Sequence, residues 1–250
     1  MTNNLEAFLK ETEFCDYKHP SIQAIAGSYS RKYKDKKELA KNLFYFVRDH
    51  IHYSVGNWQD KASETLYKRH GTCTNSANLL VALLRAVGIP SGYGIFKVHG
   101  QKYFGPIALS KISKRVSAKS THVHCYVYLD KKWIKCDPSD DEILSINTQH
   151  LNPQSSVIDW DGSTDAILKL EPEHILFTSE PKEDIEHLFR KKQRKSLWFA
   201  VRIGNLYIKF LRHNGSGINS MEQSQKEFNR WLKERYFFDY LLYNIIDAVA

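Results

Sequence analysis

The run HGTCTNSANLLVALLRAVGIP, residues 70–90, divides the chain into two halves with different hydrophobic periods. Leu79, Leu80, Leu83, Leu84 and Val87 recur every three or four residues, which predicts a helix over 74–87. Gly88, suited to a left-handed cap, and Pro90 end it. Upstream the same period continues. A short helix is expected over 5–14, and a second opens at Pro20 through SIQAIAGSYSRKY. A third, in KKELAKNLFYFVRDHIHYSV, sets Leu39, Leu43, Phe46, Val47, His50 and Ile51 on one stripe. ASETLYKRHG reads as a short helix capped by Ser63 and stopped by Gly71. Downstream the pattern turns extended: SGYGIFKV, FGPIALS, THVHCYVYL and WIKCD are short and rich in aromatic and β-branched residues. Helices first and strands after predict an α+β fold, with N-terminal helices packed on an antiparallel sheet.

Beyond Pro138, NTQHLNPQSSVIDWDGSTD reads as an irregular segment and EHILFTSE as one more strand. From Pro181 the chain becomes helical and basic, in PKEDIEHLFRKKQRK and SLWFAVRIGNLYIKFLRH. Gly215 and Gly217 mark a break. A last helix then places Phe228, Trp231, Leu232, Phe238, Leu242, Ile245, Ile246 and Val249 roughly on one face. The expected division is a domain over 1–180 and a helical C-terminal appendage over 181–250. With 250 residues, 42% of them apolar, the chain can bury a real core, as one large domain or one domain plus an appendage.

The net charge of +8 could draw anionic partners. No nucleic-acid motif accompanies it, so a solvated positive face is the preferred reading and no nucleic acid is expected. RKKQRK (190–195) and the apolar run after it make peripheral membrane contact through 190–212 an alternative to packing on the domain. No run of about 20 apolar residues is present, so no transmembrane segment is expected. The start, MTNNLEAFLKETEF, lacks the apolar stretch of a secretory signal. The four cysteines, Cys15, Cys73, Cys125 and Cys136, form no CxxC pair. Reduced thiols in a cytoplasmic protein are therefore expected.

Three positions carry chemistry. Cys73 stands at a helix N-terminus, where free N–H groups and the helix dipole favour the thiolate, the attacking form. In THVHCYVYL a strand puts His122 and His124 on one face with Tyr126 and Tyr128, and Val123, Cys125 and Val127 on the other. If Asp130 and Lys131 form the turn of LDKKW, Leu129 pairs with Lys132. Asp137 then lies opposite His124 and diagonal to His122, and either imidazole is within its reach. Spacing alone does not choose between the two histidines. Cys125 and Cys136 become cross-strand neighbours on the far face. A zinc site from Cys73, His122, His124 and Asp137 is the competing reading: structural zinc usually brings paired ligands on short loops and HVH is one such pair, but Cys73 is already explained as a nucleophile, so no metal is expected.

ASETLYKRHGTCTNSANLLVALLRAVGIPSGYG followed by HVHCYVYLDKKWIKCDPS resembles the transglutaminase-like superfamily of papain-related thiol enzymes. The resemblance covers about residues 20–140, including the upstream helix that ends near Tyr53. It rests on the Gly71-Thr72-Cys73 motif, Val127-Tyr128, Trp133 and Asp137-Pro138, in order and without a gap in the hairpin. It implies a papain-like core with Cys73 as nucleophile, His122 as base and Asp137 as its orienting partner. His124 then occupies a slot usually aromatic, and Tyr126 one often acidic. The implied activity is on amide bonds of a protein or peptide through a Cys73 thioester, with water (peptidase or amidase) or an amine acceptor completing the turnover. The N–H of Cys73 is one oxyanion donor; Trp58 or Gln59 is a candidate for a second, and His124 and Tyr126 are expected to line the cleft. No cofactor or metal is implied, and no calcium-loop signature is visible. The alternatives are a non-catalytic binding protein of the same fold, and a membrane-surface or nucleic-acid-associated protein acting through its basic C-terminus.

Overall fold

The computed structural model describes residues 5–100, 102, 108–113, 118–139, 141–151, 157–169, 171–192 and 198–245. A 3-10 helix, Leu5–Leu9, opens the described chain and stops well short of Phe14. Helix α1 (Pro20–Lys32) starts on a proline, whose missing N–H costs nothing in a first turn. Helix α2 (Lys36–His50) is capped by Asp35, whose side chain accepts from the Glu38 N–H. Its stripe buries Leu39, Leu43, Phe46, Val47 and Ile51 as expected, but His50 is exposed and stacks on Phe46. A ring at the last helical position turns to solvent more cheaply than into an apolar core. The pair β1 (His52–Tyr53) and β2 (His70–Gly71) brackets helix α3 (Ala62–Lys68). Lys61, not Ser63, is the N-cap of α3: the Glu64 carboxylate accepts from the Lys61 N–H at 2.8 Å, and Ser63 is bound to Asp16 instead. The helix ends at Arg69 in a left-handed conformation (φ 58°), before Gly71 is reached.

Helix α4 (Cys73–Ala86) is the centre of the fold, with nearly every residue from Thr74 to Arg85 buried. Gly88 at φ 72° redirects the chain, as a left-handed cap does. Strand β3 (Ser91–His99) follows, then one helical turn, α5 (Ser110–Ser113). Of FGPIALS only residues 108–110 are described; they lead into α5, and the remainder of that expected strand lies outside the described residues. Strands β4 (Lys119–Leu129) and β5 (Lys132–Cys136) form the hairpin. Asp130 and Lys131 both have positive φ (49° and 62°), the two-residue turn whose twist matches its strands. Pairing runs from Leu129↔Lys132 to Cys125↔Cys136. After the short helix α6 (Glu142–Thr148), EHILFTSE supplies β6 (Ile175–Thr178). Among the described residues the sheet runs β5-β4-β3-β6, antiparallel throughout. One face takes α4: Tyr93 Oη donates to Asn78 Oδ1 at 2.7 Å and Cys125 Sγ to the Ala77 carbonyl at 3.3 Å.

The first core joins α1, α2, α4 and this sheet face, and it includes Ile185, Leu188 and Phe189 around α7 (Glu186–Phe189). Packing with the N-terminal part thus continues past residue 181. A second core gathers Ile203, Tyr207, Phe210 and Leu211 of α8 (Trp198–Asn214) with Phe228 and Leu232 of α9 (Met221–Arg235). The apolar stripe of α8 is spent there. The expected last helix is two helices, because Tyr236 (φ −139°) breaks it before α10 (Phe237–Ile245). Phe238 and Leu242 consequently leave the common face and are 81% and 45% exposed. Ile246, Val249 and residues 193–195 of RKKQRK lie outside the described residues. No helix among the described residues is long and apolar enough to cross a membrane.

Candidate active site

Cys73 is the first residue of α4, so its N–H has no intrahelical acceptor and the positive end of the helix dipole lies at the thiol. The preceding turn is stiff. Thr72 and Asn75 cap each other, with the Thr72 N–H donating to Asn75 Oδ1 at 2.9 Å, and a Cβ on Gly71 would collide with the Asn75 side chain. The glycine is therefore needed for close approach. Of the four cysteines, none is in a disulfide; Cys73 is partly exposed, and Cys15, Cys125 and Cys136 are fully buried.

The sheet meets the thiol where β5 stops. Its last pair is Cys125↔Cys136, after which Asp137 turns away and its N–H donates to the Ala166 carbonyl at 2.9 Å. The next outward-pointing N–H of β4, that of Val123, no longer faces a strand and is hydrogen-bonded to Cys73 Sγ. His122, one residue earlier, also hydrogen-bonds the thiol. Its Nε2 is 2.6 Å from Asp137 Oδ2. Asp137 Oδ1 accepts from the Ser139 N–H at 3.1 Å. The structure thus brings Cys73, His122 and Asp137 into one hydrogen-bonded sequence, and Asp137 bonds His122, not His124.

The electrostatics follow from that sequence. Burial opposes a charged His122, but the Asp137 carboxylate and the Cys73 sulfur raise its pKa well above the ordinary imidazole value. Burial likewise opposes a Cys73 thiolate, yet the charge and hydrogen bond of His122, with the Val123 N–H, lower the thiol pKa. Burial works against Asp137 as well, and His122 outweighs it to hold the carboxyl below its usual range. Each shift favours a thiolate–imidazolium pair.

Four residues expected around the site are placed differently. Trp58 Nε1 donates its single N–H to the Leu188 carbonyl at 3.1 Å, and Gln59 Nε2 gives one of its two N–H groups to the Lys191 carbonyl at 2.9 Å, so the Trp58 donor is already spent. His124 is fully buried beneath the site and does not line a cleft. Its ring stacks on Phe96 at 4.5 Å and occupies the space beside Gly94 that a Cβ would fill. Neither ring nitrogen has a hydrogen-bond partner, and burial drives its pKa down to about 3. Tyr126 is buried too, and its hydroxyl donates to the Ser179 carbonyl at 3.3 Å. Among the described residues no group of three His, Cys, Asp or Glu could hold a metal ion.

One support escapes any reading of the sequence. Asp141, buried four residues beyond Asp137, accepts from the Tyr53 N–H at 2.8 Å and caps α6 through the Leu144 N–H. It also pairs with Arg212 of α8, whose Nη2 lies 2.8 Å from Asp141 Oδ2 and 2.9 Å from the Tyr53 carbonyl. The second core is thereby tied to the loop that carries Asp137. No local pattern signals a partner 71 residues away.

Residues 23–138 match the model of the transglutaminase-like superfamily. That part of the chain belongs to the transglutaminase-like superfamily. The matched stretch begins in α1 and ends just after Asp137, so it contains all three residues of the hydrogen-bonded sequence. Similar solved structures include the following two. A candidate cysteine protease from Cytophaga hutchinsonii is 21% identical, with a TM-score of 0.44 over 55% of this chain and 43% of that one. A candidate protease from Parabacteroides distasonis is 17% identical, with a TM-score of 0.36 over 54% of this chain and 25% of that one. The chain thus spans less than half the length of either. No curated protein matches.

Proposed function

We propose that this transglutaminase-like protein is a thiol enzyme acting on amide bonds of a peptide or protein. The observation that carries the reading is the hydrogen-bonded sequence Cys73 Sγ, His122, Asp137, with His122 Nε2 2.6 Å from Asp137 Oδ2. The Cys73 thiolate attacks the amide carbonyl carbon, and the Cys73 N–H donates to the oxyanion that forms. The imidazolium of His122 gives its proton to the departing nitrogen as the C–N bond breaks, leaving an amine and an enzyme thioester. Neutral His122 next takes a proton from water, or from an amine, as its oxygen or nitrogen attacks the thioester. The acid or the new amide leaves, and the thiolate–imidazolium pair is restored. Asp137 stays ionised throughout and orients the ring.

The test is mass spectrometry of peptide products with and without a primary amine. Cleaved product that is lost in Cys73→Ala supports hydrolysis, and a mass gain matching the amine supports transfer. Failure of an amide-derived electrophile to label Cys73 in the native protein overturns the reading.

A further inference from the structure

Residues 54–58 are a second stretch of chain bonded around the turn that carries Cys73. At its start the Ser54 N–H donates to the Gly71 carbonyl at 2.8 Å, and at its end the Trp58 carbonyl accepts from Asn75 Nδ2 at 3.2 Å. Asn75 also caps Thr72 through its Oδ1, so the segment is joined to the chain on both sides of the nucleophile. Between these ends the backbone lies in no strand or helix, and it turns through two successive left-handed residues, Gly56 (φ 77°) and Asn57 (φ 52°). Asn57 is exposed, and Val55, Gly56 and Trp58 are partly exposed, as is Cys73.

A helix of the C-terminal region holds the middle of this segment. Asn205 of α8 accepts the Val55 N–H on Oδ1 at 2.8 Å and donates from Nδ2 to the Val55 carbonyl at 3.0 Å. One side-chain amide thus pairs with both polar groups of one residue, as a neighbouring strand would. The helix lies so close that a Cβ on Gly204 would stand 3.2 Å from Val55 Cγ2. Helical period explains which residues do this. Ile203, Tyr207, Phe210 and Leu211 turn to the second core, so Asn205 and Arg212, two turns apart, share the opposite face. From that face Arg212 Nη2 also holds the Tyr53 carbonyl, at 2.9 Å.

We propose that Asn205 is a positioning residue for peptide substrates: its clamp on Val55 holds residues 55–58 as one wall of the cleft that leads to Cys73. A substrate chain that brings an amide to the sulfur lies beside the turn from Gly71 to Asn75, and a wall displaced by about 1 Å misplaces that amide. The thiolate–imidazolium pair stands outside this effect, because His122 and the Val123 N–H come from β4 and Asp137 from the end of its hairpin. The inference rests on Cys73 being the nucleophile of the proposed function.

The test uses the full chain and two reagents for Cys73: iodoacetamide, too small to lie along the wall, and a tripeptidyl vinyl sulfone, which does. Labelling rates are read by mass spectrometry over a pH series. In Asn205→Ala the peptidyl reagent is expected to label roughly ten- to a hundredfold more slowly, while the iodoacetamide rate and its pH profile stay within about twofold. Asn205→Asp keeps the acceptor for the Val55 N–H and loses the donor, so its peptidyl rate falls between parent and alanine. Tyr207→Phe removes a hydrogen bond to Ser224 on the other face of the same helix and leaves both rates unchanged. A peptidyl rate unchanged in Asn205→Ala, an equal loss with both reagents, or the same selective loss in Tyr207→Phe overturns the positioning role and leaves the nucleophile standing. Native protein whose Cys73 the peptidyl reagent does not label overturns the proposed function itself, and the positioning role with it.

Discussion

His122 and Asp137 meet across the open end of the hairpin, Nε2 to Oδ2 at 2.6 Å, both shielded from solvent. Their contact orients the ring that hydrogen-bonds Cys73. In Asp137→Asn the amide no longer holds the imidazolium or its orientation. Turnover is expected to fall by roughly two to four orders of magnitude, read as kcat/KM on a cleaved peptide. A variant within threefold of the parent would remove Asp137 from the chemistry.

Thiol labelling separates Cys73 from the other cysteines. Native protein treated with iodoacetamide should carry one modification, at Cys73, because Cys15, Cys125 and Cys136 are fully buried. The lowered pKa of Cys73 should keep labelling fast at pH values where an ordinary thiol is protonated. In His122→Ala that acid-side reactivity should disappear and the rate should rise only toward the usual thiol range. Peptide mapping across a pH series checks both.

His124 carries an acid-stability signature of its own. Its pKa falls from 6.5 to about 3 on folding, so the unfolded chain binds the extra proton and stability rises with pH. The contribution is fully present above 6.5 and is lost as pH falls toward 3, by at most about 5 kcal/mol. His124→Phe keeps the stack on Phe96 and removes two unpartnered ring nitrogens. Urea midpoints between pH 7 and pH 4 should decline less in the variant. Parallel declines would mean that another group sets the acid limb.

Arg212 neutralises a carboxylate that solvent does not reach. Arg212→Met leaves Asp141 with backbone donors only, and should cost about 3 kcal/mol in equilibrium unfolding, the usual scale for half of a buried pair. A change below 0.5 kcal/mol would show that this tie between second core and active-site loop contributes little.

Gly94 should tolerate no side chain. Alanine there drives a methyl into the His124 ring, which Phe96 and Tyr126 hem in at 4.5 and 5.3 Å. About 1–3 kcal/mol of destabilisation is expected, measured by thermal or urea unfolding. Restoration by a second change, His124→Ala, would identify the clash as the cause.

The parts of this fold that sequence makes legible are those governed by local periods. A two-residue turn and strict alternation set the β4–β5 register, and that register alone brings Asp137 within reach of two histidines. The choice between them depends on where β5 ends relative to α4, a tertiary fact that spacing does not contain. Ser63 and His50 fail for a similar reason: Asp16 claims one, and solvent lies over the other. The break at Tyr236 hides inside an apolar pattern that runs on across it. The tie between Asp141 and Arg212 leaves no pattern at all.

The short reach of β5 has a consequence for how such a site is lost or made. One further rung of pairing would give the Val123 N–H a strand carbonyl and fill the berth of the sulfur. The Cys73 sulfur is seated where a ladder stops, so two residues added to a hairpin, far from the cysteine in the chain, would unseat it without touching Cys73, His122 or Asp137.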